Sequence, residues 1–167
     1  MLSIGEKIVY GANGIMQIVD THEESVGDKQ LKYYVLQVPN LPGASKTFVP
    51  MDNEKLISSM RPLLTRDEVM DLISRIPDIP LLDWKADNRA RAEEFRTIID
   101  SANIEKIISL IKSVYESGKK RAAEGKKNYL ADETFMRKAE KLVFAEFSEV
   151  LGIPLSEVRE FIKENCR

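Results

Sequence analysis

Thr65-Arg66-Asp67-Glu68-Val69-Met70-Asp71-Leu72-Ile73-Ser74-Arg75-Ile76 is the stretch at which the chain changes its period. Before it, apolar residues come in short runs broken by turn residues. Within it, Val69, Leu72, Ile73 and Ile76 recur at the spacing of one helix face. Thr65 and Glu68 stand three apart, so the Thr hydroxyl and the Glu carboxylate can each accept a free amide of the first turn, the reciprocal arrangement of a capping box. The chain therefore reads as α+β, with strands in residues 1–64 and helices in residues 65–167.

Working back from Thr65, the first segment holds β-branched and aromatic runs. Lys7-Ile8-Val9-Tyr10 leads into Gly11-Ala12-Asn13-Gly14 and then Ile15 to Val19, and Asn-Gly is the pair that best supplies the positive φ angles of a tight hairpin. A second hairpin turns at Gly27-Asp28 into Lys32–Val38. A third passes Pro39-Asn40-Leu41-Pro42-Gly43 into Lys46-Thr47-Phe48-Val49-Pro50, and Ile57 to Met60 reads as a short fifth strand. Five short strands predict a small antiparallel SH3- or Tudor-like barrel, too narrow to enclose a ligand. Its function then belongs to its surface or edges, with Lys46, Thr47, Phe48 and Val49 as the edge candidate for a partner.

Forward from Thr65, Pro77 and Pro80 end the first helix. A second helix runs to about Ile99, with Asp83 as its expected N-cap. Ser101 is expected to open a third, carrying the stripe Ile104, Ile107, Ile108, Ile111, Val114 and Tyr115. Asp132 is expected to begin a fourth with Phe135, Ala139, Leu142, Val143, Glu146 and Phe147, stopped by Gly152 and Pro154. Ser156 is expected to cap a fifth, with Val158, Phe161 and Ile162. These helices predict a compact bundle.

With 167 residues and a formal charge of −2, the chain is not a nucleic-acid-coating protein. Its charge is uneven, however, because residues 84–127 hold eleven Lys and Arg against seven Asp and Glu. The single cysteine, Cys166, permits no internal disulfide, and no apolar run is long enough for a signal peptide or a membrane helix, so the expected compartment is the cytoplasm. Enzyme chemistry finds no support. His22 is the only histidine and has no cysteine near it, which excludes the usual zinc spacings and a Cys-His pair. The Gly11–Gly14 turn lies between strands and lacks the Lys-Ser or Lys-Thr of a phosphate loop. Sequence-adjacent acids such as Glu93-Glu94 and Asp132-Glu133 point apart. No cofactor and no metal are expected.

Leu82-Asp83-Trp84-Lys85-Ala86-Asp87-Asn88-Arg89-Ala90-Arg91 holds the only tryptophan beside three cations. From periodicity alone, Trp84 caps the core stripe above Phe95, and that is the stronger of two readings. In the other it is an exposed wedge, with Lys85, Arg89 and Arg91 on the phosphates, as in proteins that unstack a minor-groove base step.

Taken together, Gly5-Glu6-Lys7-Ile8-Val9-Tyr10 with Asn13-Gly14, Tyr33-Tyr34-Val35-Leu36, Val49-Pro50-Met51-Asp52-Asn53, and the Trp at a helix head followed by Asn103-Ile104-Glu105-Lys106 resemble the CarD/CdnL family of bacterial transcription regulators. The resemblance implies a Tudor-like barrel over 1–64 that grips the β subunit of RNA polymerase by strand addition, and a helical half over 65–167 that touches promoter DNA without reading its sequence. It implies that Trp84 enters the minor groove at the edge of the transcription bubble, with Lys85, Arg89 and Arg91 on the backbone, and it reverses the preference for the core reading. Where some relatives carry a basic residue before Val49-Pro50, this chain has Phe48, which exchanges a polar contact for an apolar one. The rival is a Tudor-like adaptor for peptides without a DNA role. Its aromatic cage would need several rings facing one spot, whereas Tyr33 and Tyr34 alternate to opposite faces.

Overall fold

Ile8, Met16, Ile18, Tyr34, Leu36 and Val49 occupy one face of a five-stranded antiparallel sheet, two positions apart along each strand, and are buried there with Met60. The computed structural model describes residues 2–167. It divides into two units, one ending at Leu63 and one running from Leu64 to Arg167.

In the first unit β1 (Lys7–Tyr10), β2 (Ile15–Val26), β3 (Lys29–Gln37), β4 (Thr47–Pro50) and β5 (Met60–Pro62) lie in the order β4-β3-β2-β1-β5. Core residues meet as direct cross-strand pairs: Ile8 with Met16, Ile18 with Leu36, Tyr34 with Val49, Tyr10 with Met60. The pairing leaves β4 and β5 as edges, so the strands of the expected small barrel form an open sheet. The first turn also differs. Gly11 and Gly14 take the positive φ angles (46° and 71°), Asn13 does not, and Gly11–Asn13 form a single 3-10 turn. Ile57 belongs to a short helix, α1 (Glu54–Ile57), rather than to the fifth strand. Asn53 caps it by accepting the Leu56 amide at 3.1 Å, and the strand begins only at Met60.

One irregularity determines what the outer face carries. The β2–β3 register steps from Ile18–Leu36 to Asp20–Val35, leaving Val19 as an extra residue. Such a bulge reverses the sidedness of everything beyond it. His22, which alternation would place with Ile18 in the core, is turned to the face of Tyr33 and Phe48.

The second unit is helical: α2 (Arg66–Arg75), α3 (Asn88–Asp100), α4 (Ile104–Ala123), α5 (Leu130–Leu151) and α6 (Val158–Asn165). The capping box forms as expected, Glu68 N donating to Thr65 Oγ1 at 3.2 Å and Thr65 N to Glu68 Oε2 at 2.8 Å. The core joins Val69 and Ile73 of α2, Phe95 and Ile99 of α3, Leu110 and Val114 of α4, Ala139, Val143 and Phe147 of α5, and Val158. Gly152 ends α5 in the left-handed conformation, φ 69°.

Helix starts depart from expectation at four places. Asp87, not Asp83, caps α3 by accepting the Ala90 amide at 2.8 Å, because residues 80–85 carry no regular structure and the helix starts only at Asn88. Asn103, not Ser101, caps α4, since Ser101 ends α3 and Ala102 turns the chain at φ 59°. α5 begins at Leu130, placing Asp132 inside it, and Leu155–Glu157 form a 3-10 turn before α6 where Ser156 was expected to cap. Tyr115 is 59% exposed, because the buried side of α4 runs through Ile107, Leu110 and Val114.

Candidate nucleic-acid interface

The coil between α2 and α3 is fastened at several points despite having no regular structure. Leu82 N donates to Ser113 Oγ at 2.8 Å, and the Lys112 ammonium donates to the carbonyls of Ile76, Pro77 and Ile79 just past the end of α2. At its far end Arg91 Nη1 donates to Lys85 O at 2.8 Å. Trp84 is therefore presented from a backbone held by α3 and α4.

Arg91 does not face solvent. It is 2% exposed, and it reaches Asp132 through Nε at 3.1 Å and Nη2 at 2.9 Å, while Nη2 also donates to Asn88 Oδ1 at 2.7 Å. Its donors are occupied and it has no path to a phosphate, so the expected DNA contact at Arg91 is corrected to a buried structural ion pair. Such a pair contributes little net stability, yet losing one partner leaves the other charge stranded. Its guanidinium carbon also lies over two rings, 4.6 Å from the Trp84 centroid and 5.1 Å from that of Tyr129. Arg121 lies 4.0 Å from the other member of that stack, Tyr129.

Trp84 is 36% exposed and meets Phe95 edge-on at 6.2 Å. It is neither a core residue nor a free wedge, being supported from within and open outside. Lys85 pairs with Glu94 at 2.7 Å, and this hydrogen bond together with the Glu94 charge holds the Lys85 ammonium above its ordinary range. Arg89 is exposed and has no ion pair among the described residues. Lys85 lies on the coil before α3, so the three cations do not share one helix. Sequence reasoning missed Asp132, Tyr129 and Arg121. Asp132 is separated by 41 positions from Arg91, and no local pattern marks so distant a pair.

In the first unit, β4 pairs only with β3, and Phe48 on it is 51% exposed. Lys46 and Thr47 are also exposed, whereas Val49 is buried in the sheet core. Phe48, His22 and Tyr33 form a triad with ring centroids 5.8 to 6.5 Å apart. Residues 2–63 match the family described as the CarD-like/TRCF RID domain. Over that stretch the chain is similar to a CarD-like domain. That family is one of RNA polymerase-interacting domains. Comparison of the chain with curated proteins gave no match. The CarD-like domain coincides with the open sheet and contains the β4 edge. Among the described residues no helix is long and apolar enough to cross a membrane, and no cluster of metal-binding side chains occurs.

Proposed function

We propose that this protein is a transcription regulator that docks on the RNA polymerase β subunit through its CarD-like domain and stabilises the open promoter complex with its helical unit. The observation that carries the docking half is the match over residues 2–63, supported by an unpaired edge at β4 beside exposed Phe48, the kind of edge to which a partner strand adds. Lys46, Thr47, Phe48 and Val49 supply that edge, Val49 through its backbone. Support for the DNA half comes from Trp84, half-open and braced by Arg91 and Phe95, with Lys85 and Arg89 nearby to lie along phosphates. Arg91 acts here by bracing Trp84 rather than by touching DNA. A pull-down of bacterial RNA polymerase tests the reading: residues 1–63 retain the β subunit and residues 64–167 do not. Retention by the helical unit alone contradicts it.

A peptide-binding adaptor remains the second reading because the bulge at Val19 gathers His22, Tyr33 and Phe48 on one face, which a methylated lysine could use. Binding of a trimethyl-lysine peptide that is lost in Phe48→Ala, with no retention of polymerase, favours that reading.

A further inference from the structure

Trp84 forms part of the wall of a cleft that a wedge alone does not use. The cleft has a volume of about 290 Å³ and lies between the coil, at Leu81 and Trp84, and the last turns of α4, at Glu116, Ser117, Lys120 and Glu124. Its size sits just below the range for small-molecule sites, about 300–1,000 Å³, which gives room for one ring system rather than a run of nucleotides. Its charge is the second constraint. A groove that tracks a phosphate backbone is lined by cations, whereas here Lys120 and Arg121 are balanced by Glu116 and Glu124. Both acids are tied only to surface lysines, Glu116 to Lys119 at 3.7 Å and Glu124 to Lys126 at 3.3 Å, and such exposed pairs exchange at little cost. A neutral, planar group with amino donors fits this lining, and a phosphate chain does not.

We propose that the cleft receives one unpaired nucleobase of single-stranded DNA, stacked on Trp84, with an exocyclic amino group donating to Glu116 or Glu124 and Lys120 on the adjoining phosphate. The inference rests on reading Trp84 as a DNA-facing residue, and it adds a destination for a base once that base has left the duplex. Carboxylates accept from the amino groups of cytosine and adenine, so those bases bind more tightly than thymine, which has none.

Because Trp84 is the sole tryptophan, its fluorescence reports occupancy directly. The full chain is titrated with oligodeoxycytidine, oligothymidine and a duplex of the same length. Ser117→Phe, which fills the cleft from α4 and leaves Trp84 in place, is the test variant, with its melting temperature measured alongside. The expected result is saturable quenching by oligodeoxycytidine, weaker quenching by oligothymidine, and a loss of about tenfold or more in oligodeoxycytidine affinity in folded Ser117→Phe. Should folded Ser117→Phe bind oligodeoxycytidine like the parent, the cleft is not the site, whatever Trp84→Ala does to promoter opening. If Trp84→Ala leaves promoter opening untouched while Ser117→Phe loses the oligonucleotide, the wedge fails and the cleft stands.

Discussion

The Arg91 guanidinium lies 4.6 Å from the centre of the Trp84 ring and is held by Asp132 of α5 at 2.9 Å. An indole at the end of an irregular coil would ordinarily sample several rotamers. Here a planar cation with occupied donors lies against the ring, and Phe95 meets it edge-on, so its presentation follows from a buried ion pair on α3 and α5.

Removing one member of that pair is expected to destabilise the helical unit by about 3–5 kcal/mol, because the remaining charge is buried without a partner. Arg91→Ala and Asp132→Asn test this by chemical denaturation. Replacing both, as Arg91→Met with Asp132→Leu, is expected to recover most of the stability while leaving Trp84 without its stack. Trp84 emission then shifts to the red and promoter opening stays impaired. Full recovery of both makes the pair irrelevant to Trp84.

In the proposed DNA complex, Glu94 competes with a phosphate for Lys85. The hydrogen bond to Glu94, and then its charge, raise the Lys85 pKa and so carry the ammonium's protonated range further into alkali. The stabilisation from this pair is complete below the unfolded lysine value and is lost only as the pH rises through the folded one, well into the alkaline range. Glu94→Gln is expected to strengthen DNA association several-fold at low salt. Lys85→Glu with Arg89→Glu is expected to weaken it on all sequences alike and to flatten its salt dependence. Filter binding across salt concentrations checks both, and an effect confined to one promoter sequence contradicts phosphate contact.

On an edge strand, successive residues alternate between turning their amide to the sheet and turning it outward. Proline at Thr47 and at Phe48 therefore separates folding from docking. One of the two variants is expected to keep the parent's melting temperature and lose polymerase retention, and the other to loosen the sheet. Two variants that both fold and both retain polymerase remove β4 from the docking surface.

Much of the fold was legible because local signals were strong. The Thr65–Glu68 box, the Val69-Leu72-Ile73 stripe and Gly152 each name an element end through chemistry that a few neighbouring residues complete. What escaped was long-range or depended on register. Sheet closure is decided by whether β4 meets β5, two strands of four and three residues, and no alternation pattern encodes that. The bulge at Val19 sets His22 beside Phe48, and no local pattern marks a bulge. In the site, composition marked Trp84 and Lys85 as candidates, and Arg91 was read as a phosphate contact because its partner, Asp132, lies on another helix.

The lifetime of open promoter complexes with Trp84→Ala tests the central claim most directly. A fully buried Trp reduced to Ala costs about 3–5 kcal/mol, whereas loss of one ring pair and one cation stack at a half-open site is expected to cost about 1–2 kcal/mol. The variant is therefore expected to stay folded and to retain polymerase. Unstacking a base step costs a few kcal/mol, so without the indole the open complex is expected to decay about tenfold faster. An unchanged lifetime with folded, polymerase-bound Trp84→Ala, or a loss that only tracks unfolded protein, contradicts the account.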